Sequence, residues 1–261
     1  MDREAIAKAA RLLWAAWGEP RRIDALPIEC RPRTRHDGYS IQAELARISR
    51  QQVAGWKIAA TSTAGQKHIG VDAPLAGRLL AGRILEPAAA ISLQANLMRV
   101  AEAEFAFRMG TDLPARKMPY EVEEVMRAVA SLHPAIEVPD SRYADFARVG
   151  APQLIADDAC ALWFVLGAAT SESWRECDLA AHPVAAFRNA VPAGTGTGAN
   201  VLGDPRIALT WLANELRIYG DGLKRNEVVS TGACIQPVPV APDDVFKADF
   251  GLFGALAVTF E

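Results

Sequence analysis

The hydrophobic period of the chain changes near residue 97, and that change restricts the fold more than any other feature. Before it, Ile6, Ala9, Leu13 and Trp17 recur at helical spacing until Gly18 and Pro20 interrupt them. Ile41, Leu45 and Ile48 repeat the pattern after a Pro- and Arg-rich connection from Pro27 to Gly38. A short helix is predicted over Ser62–His68, with Gly70 in the left-handed position that ends it. Between these helices, Gly55 to Ala60 (GWKIAA) reads as a strand. Beyond Leu97 the side chains alternate: Ala103, Phe105 and Phe107 fall on one face of a strand, and Glu102, Glu104 and Ala106 on the other. Pro119–Leu132 is predicted as a helix with Glu121, Glu123 and Glu124 near its positive end, followed by a short strand, Pro134–Val138, that carries Glu137. Asp204-Pro205 reads as an N-cap and first-turn pair opening a helix that runs through Leu216, with β-rich runs from there to Phe260.

Helices first and strands later, without regular alternation, predict an α+β fold rather than a doubly wound sheet. The chain is expected to form one domain over residues 1–261, a helical portion (1–70) followed by a β-rich core (71–261). Its 261 residues are 51% hydrophobic and 23% charged, enough apolar material for a substantial core. The 28 Lys and Arg are scattered and the net charge is −3, which argues against nucleic acid as a partner. The longest apolar run, Ala159 to Ala169, is too short to cross a bilayer, and Met1-Asp2-Arg3-Glu4 does not resemble a signal peptide. Cys30, Cys160, Cys177 and Cys234 form no C-x-x-C pair, so reduced thiols in the cytoplasm, with no disulfide and no zinc site, are expected.

Three carboxylates and one lysine carry the chemical signal. Glu102, Glu104 and Glu137 on neighbouring strands would offer the oxygen-rich face that Mg²⁺ or Mn²⁺ needs; alternatively Glu102 and Glu104 are the solvated side of an amphipathic strand. Glu137 lies among Pro134, Ala135, Ile136 and Val138, where an unpaired charge is costly, so it requires a cation or a hydrogen-bond partner. Lys57, among Gly55, Trp56, Ile58, Ala59 and Ala60, either meets an anion or snorkels to water from a strand edge. The Gly194–Gly198 run lacks the lysine of a nucleotide loop and reads as a flexible turn. His36, His68, His133 and His182 show no metal-like spacing, and no hydrolytic triad is indicated.

With these residues in view, the chain from about Thr34 onward resembles the hydratase/decarboxylase branch of the fumarylacetoacetate hydrolase superfamily. The matching blocks are DGYSIQ at Asp37, GWKIAATS at Gly55, IGVDAP at Ile69, AEAEFAF at Ala101, PAIEVPDSRY at Pro134, FVLG at Phe164, GANVLGDP at Gly198 and the Ser230-Thr231-Gly232 turn. The resemblance implies a twisted mixed β-sandwich or roll core, a homo-oligomer, a divalent metal on Glu102, Glu104 and Glu137, and Lys57 at the substrate. It also makes Ser62, Asp140, Cys160 and Thr231 candidate substrate-binding residues. The implied activity is a metal-dependent lyase that hydrates a 2-hydroxydienoate or 2-oxo acid, such as 2-hydroxypenta-2,4-dienoate, in aromatic-compound catabolism. Decarboxylation of a 4-oxalocrotonate-type diacid, C–C hydrolysis of an acylpyruvate, or a non-catalytic partner subunit remain as alternatives. Two departures stand out. Where members of this branch commonly carry an Asp after the proline of the GVDxP block, this chain has Leu75, and an Asp-Asn-Ala-Ser stretch appears as Asp157-Asp158-Ala159-Cys160.

Overall fold

A computed structural model describes residues 1–17 and 19–261. The chain begins with α1 (Arg3–Ala16) and α2 (Arg35–Ser49), then β1 (Val53–Ala59), α3 (Thr63–His68), β2 (Leu75–Leu80), β3 (Ile84–Leu85), β4 (Ala90–Ile91), β5 (Val100–Met109) and β6 (Leu113–Pro114). It continues with α4 (Val122–Ala128), β7 (Val129–Val138), α5 (Ala151–Ala156), β8 (Trp163–Leu166), β9 (Pro183–Arg188), β10 (Val191–Thr197) and α6 (Pro205–Tyr219). The last elements are β11 (Gly222–Leu223), β12 (Val228–Ala233), β13 (Val238–Pro239), β14 (Val245–Asp249) and β15 (Ala255–Phe260). No helix among the described residues is long and apolar enough to cross a membrane.

The α+β class expected from the change of period is present. The main sheet runs β2-β1-β12-β5-β7-β8-β3, with β13 pairing to β5. Its two edge strands, β2 and β3, are joined only by Ala81–Arg83. Four residue steps reach at most about 14 Å, so the sheet must curl until its edges nearly meet. The outcome is an incomplete barrel. Leu79, Ala106, Ala135, Phe164 and Val228, contributed by five strands and backed by Ile84 and Leu166, fill part of its interior with an apolar plug. The opposite face of the sheet carries Trp56, Ile58, Ala103, Phe105, Phe107, Ile136 and Val229 into the main core, where the second sheet (β10-β9-β14-β15-β4) and α6 cover it. Phe105 is the hub of that contact, with ring centroids 5.0 Å from Phe250 and 5.9 Å from His182. A third core joins α1 and α2 through Ala9, Leu13, Trp17, Ile41 and Leu45.

Local sequence explains most boundaries. α2 starts at Arg35, inside the connection that sequence reading left outside the helix, because Thr34 and Asp37 form a capping box. Asp204 caps α6 as expected, and α6 extends to Tyr219; Ser62, where the short helix is expected to begin, is the N-cap of α3. The helix predicted over Pro119–Leu132 is shorter: α4 spans Val122–Ala128, and the chain enters β7 at Val129. Pairing of Met109 with Val129 and Phe107 with Leu132 adds ladder bonds and burial that one more helical turn could not supply. The Gly194–Gly198 run is not a flexible turn through most of its length, since it forms the end of edge strand β10, paired to β9. The arrest of α1 assigned to Gly18 lies outside the described residues.

Candidate metal and substrate site

β5 and β7 pair antiparallel with Glu102 directly opposite Glu137, and Glu104 stands two residues along the same face. The three side chains offer carboxylate oxygens that all lie within 4.8 Å of one another. Like charges placed directly opposite destabilise a strand pair, so this arrangement requires compensation. Glu104 obtains some: its Oε2 accepts from the Ser230 hydroxyl and, at 2.9 Å, from Gly232 N–H. Both donors reach one oxygen because β12 slips register against β5 between Ser230 and Ala233. Gly232 sits at φ 108°, and a Cβ there would drive into Thr61, so glycine is required.

Lys57 enters from β1. Through Ser230 it lines up with Ala106 of β5, which sets its side chain on the carboxylate face. β1 and β7 are three strand steps apart, about 14 Å in a flat sheet. Sheet curl and two long side chains close that gap, leaving Lys57 Nζ 3.0 Å from Glu137 Oε1. Nζ also donates to the Ala159 carbonyl at 2.9 Å. The ion pair is charge contact without hydrogen-bond alignment, and both Glu137 oxygens are buried with no hydrogen-bond partner among the described residues.

Electrostatics follow from this crowding. Burial, then the neighbouring carboxylates, pushes Glu102 up to about 7, Glu104 up to about 7 and Glu137 up to about 8, and Lys57 only partly offsets them. Burial alone would lower Lys57, but the three glutamates outweigh it and hold the ammonium charged. One lysine cannot neutralise three carboxylates. The excess negative charge, the two Glu137 oxygens without a hydrogen bond among the described residues and the all-oxygen donor set fit a hard divalent cation, which Glu102, Glu104 and Glu137 would hold. Glu102 keeps partial contact with solvent and marks the open side, while Glu104 and Glu137 are each 1% exposed. The solvated-strand alternative for the E-x-E pair is therefore excluded.

The other sequence candidates are distributed differently. Cys160 is half-buried within the electrostatic reach of Lys57, and burial pushes its thiol up to about 12, so it is a neutral group. Ser62 is occupied as the cap of α3, accepting from Gly65 N–H at 3.0 Å. Asp140 is ion-paired with Arg22 and accepts from the Leu97 and Met98 amides, each at 3.1 Å. Thr231 lies on the opposite face of β12 and donates to Phe105 O at 2.9 Å, whereas its neighbour Ser230 faces the carboxylates. Alternation along the strand was the signal that could have selected Ser230 over Thr231. Leu75 pairs with Ala59 and shares the face of Lys57, where it presents an apolar side chain. His36 and His68 are exposed; the His68 ring meets Phe146 edge-on at 6.0 Å. All four cysteines are free.

Sequence reasoning missed the turn that supports Lys57. Asp158, Ala159 and Cys160 have φ of 57°, 50° and 63°, three consecutive left-handed residues without a glycine. Such a conformation costs roughly 1–2 kcal/mol per residue. Nothing in DDAC announces it.

No family model matches the chain. It is 35% identical over 228 residues to 2-keto-4-pentenoate hydratase of Paraburkholderia xenovorans (strain LB400), covering 86% of this chain and 83% of that protein. It is 31% identical over 264 residues to 2-hydroxyhexa-2,4-dienoate hydratase of Comamonas testosteroni, covering 99% and 98%. Among solved structures, 4-oxalocrotonate decarboxylase from Pseudomonas putida G7, complexed with magnesium and adipate, superposes with a TM-score of 0.90 at 26% identity, covering 100% and 99%. The order of blocks seen in the sequence, the curled sheet with its acidic cluster and these full-length likenesses agree: the chain belongs to the hydratase/decarboxylase branch of the fumarylacetoacetate hydrolase superfamily.

Proposed function

We infer that the chain is a metal-dependent hydratase that converts a 2-hydroxydienoate, such as 2-hydroxypenta-2,4-dienoate, through its 2-oxo tautomer to a 4-hydroxy-2-oxo acid. The observation that carries this reading is the buried ammonium of Lys57, 3.0 Å from Glu137 within a trio of clustered glutamates. Mg²⁺ or Mn²⁺ on Glu102, Glu104 and Glu137 would supply Lewis-acid polarisation of the substrate's 1-carboxylate and 2-oxygen. Lys57 does the rest of the charge handling. An ammonium has three donors; Ala159 O takes one and Glu137 faces another, which leaves one for a substrate oxygen. That oxygen carries negative charge once the 2-hydroxyl proton leaves, so the fixed cation stabilises the dienolate, which takes a proton at carbon to give the 2-oxo tautomer. The apolar plug of Leu79, Ala106, Ala135, Phe164 and Val228 excludes water behind the site and strengthens these interactions. The protein acts as a single catalytic domain within a cytoplasmic homo-oligomer on this reading.

Decarboxylation of an oxalocrotonate-type diacid is the second reading, favoured by Leu75. A leucine on the face of Lys57 can neither carry a proton nor activate water, and loss of CO₂ needs only the electron sink. Purified protein with Mg²⁺ separates the readings when given 2-hydroxypenta-2,4-dienoate, 4-oxalocrotonate and an acylpyruvate, with ultraviolet loss and products followed. The hydratase reading expects the 4-hydroxy-2-oxo acid as the fastest product. Faster CO₂ release would replace it with the decarboxylase, C–C cleavage with a hydrolase, and no turnover with a partner-subunit role.

A further inference from the structure

We propose that the left-handed turn Asp158–Cys160, and the buried Arg142–Asp157 pair that holds it, form a positioning device for Lys57; this rests on Lys57 being the ammonium that meets substrate. A lysine side chain has four rotatable bonds, and three carboxylates compete for its head. Without a fixed acceptor, Nζ would be free to move from Glu137 onto Glu102 or Glu104 and occupy the oxygens a cation needs. The Ala159 carbonyl, 2.9 Å away, prevents this by giving Nζ a fixed acceptor outside the glutamate trio. The carbonyl faces Lys57 because the turn is left-handed, and three left-handed non-glycine residues persist only where surrounding structure over-determines them.

That surrounding structure is unusually complete. Arg142, 1% exposed, donates through Nε to the Asp157 carboxylate, through Nη2 to the Asp157 carbonyl and, at 2.9 Å, through Nη1 to the Ala161 carbonyl. It therefore bonds to both ends of the turn. Asp157 Oδ2 also accepts from Arg142 N–H at 3.0 Å and from the Ser141 hydroxyl at 2.8 Å. On the far side, Asp140 N–H donates to the Cys160 carbonyl at 2.9 Å, and Asp158 Oδ1 accepts from Arg78 N–H at 2.6 Å, fastening the turn to the free edge of β2. Trp17 at the end of α1 closes the stack, its ring centroid 4.5 Å from the Arg142 guanidinium carbon. Arg142 and Asp157 touch neither the glutamate trio nor Lys57 by any hydrogen bond; their influence on the site passes through the backbone of the turn.

A double-mutant cycle on ligand binding tests this. Calorimetry measures oxalate, a planar analogue of a 2-oxo acid enolate, binding to Mg²⁺-loaded protein for the parent, Arg142→Lys, Lys57→Met and the double variant. Expected is a tenfold or greater weakening by Arg142→Lys in the parent, less than twofold in the Lys57→Met background, and Mg²⁺ affinity changed less than threefold by Arg142→Lys in either background. Equal weakening in both backgrounds, or unchanged oxalate binding in folded Arg142→Lys protein, overturns the positioning role. Unchanged oxalate binding in Lys57→Met alone overturns instead the reading of Lys57 on which the proposal rests. Should Arg142→Lys fail to fold, Asp157→Asn, which keeps the side-chain shape, takes its place in the same cycle with the same expected and contrary results.

Discussion

Glu137 shows how a single residue is held in a state that only a ligand makes comfortable. Among the described residues its two oxygens are buried without hydrogen bonds, opposite Glu102 and beside Glu104, and Lys57 is the one cation against it. Replacing it with glutamine removes a charge and keeps the shape. Glu137→Gln is therefore expected to weaken Mg²⁺ binding roughly 100-fold or more. The same change should raise the melting temperature of metal-free protein at pH 8, by about 2–4 °C for each kcal/mol of relieved repulsion. Loss of affinity together with loss of metal-free stability in a thermal scan would show that the trio is not strained. At this scale the sequence was informative because Glu137 sat among apolar neighbours and Glu102 and Glu104 alternated with buried side chains. It was uninformative about the Gly232 N–H and the Ala159 carbonyl: both contributions are backbone atoms, and no side-chain pattern encodes where a carbonyl points.

Among elements, β2 has the most demanding position, since it borders the site and one of its edges has no strand partner among the described residues. That edge is covered by side chains: Gln42 donates to Ala76 O at 2.8 Å, Tyr39 accepts from Ala76 N–H at 3.3 Å, and Asp158 takes Arg78 N–H. Gly77 in its centre has no room for a Cβ, which would strike the Asp158 carbonyl and come within 3.1 Å of Lys57 Cδ. Gly77→Ala is expected to cost about 1–3 kcal/mol of stability and to reduce turnover by more than tenfold. Denaturant unfolding and steady-state rates check it, and a fully active, equally stable variant would contradict the packing described. Elements with local chemical punctuation, such as α6 after Asp204-Pro205, were legible in the sequence. The boundary between α4 and β7 was not, because Val125, Met126 and Val129 satisfy a helical stripe as well as they satisfy the strand pairing that wins.

Across the whole molecule, the rolled sheet couples proton binding to folding. Glu102, Glu104 and Glu137 start near 4.5 in an unfolded chain and are raised to about 7, 7 and 8 in the fold. Between those limits the folded state binds more protons than the unfolded state, so metal-free stability is present in full below about pH 4.5 as far as these groups are concerned and falls as pH rises toward 8. A bound cation reverses the trend, because it requires the carboxylates ionised. The melting-temperature gain on adding Mg²⁺ should therefore grow steadily from pH 5.5 to pH 8; a gain independent of pH would contradict the coupling. The α+β class was readable from the change of period, whereas the curl, expected from the family resemblance as a roll core, was not encoded in periodicity, since it depends on Ala81–Arg83 tying together strands at opposite edges of one sheet.

Three glutamates from adjacent strands are proposed to hold one divalent cation beside Lys57. Titration of the metal-free protein with Mg²⁺ in a calorimeter at pH 7, repeated in buffers of different ionisation enthalpy, tests it most directly. One ion per chain with release of protons on binding, abolished in Glu137→Gln, is the predicted result. Mg²⁺ and Mn²⁺ uptake that is absent, or that survives Glu137→Gln with unchanged affinity, would contradict it.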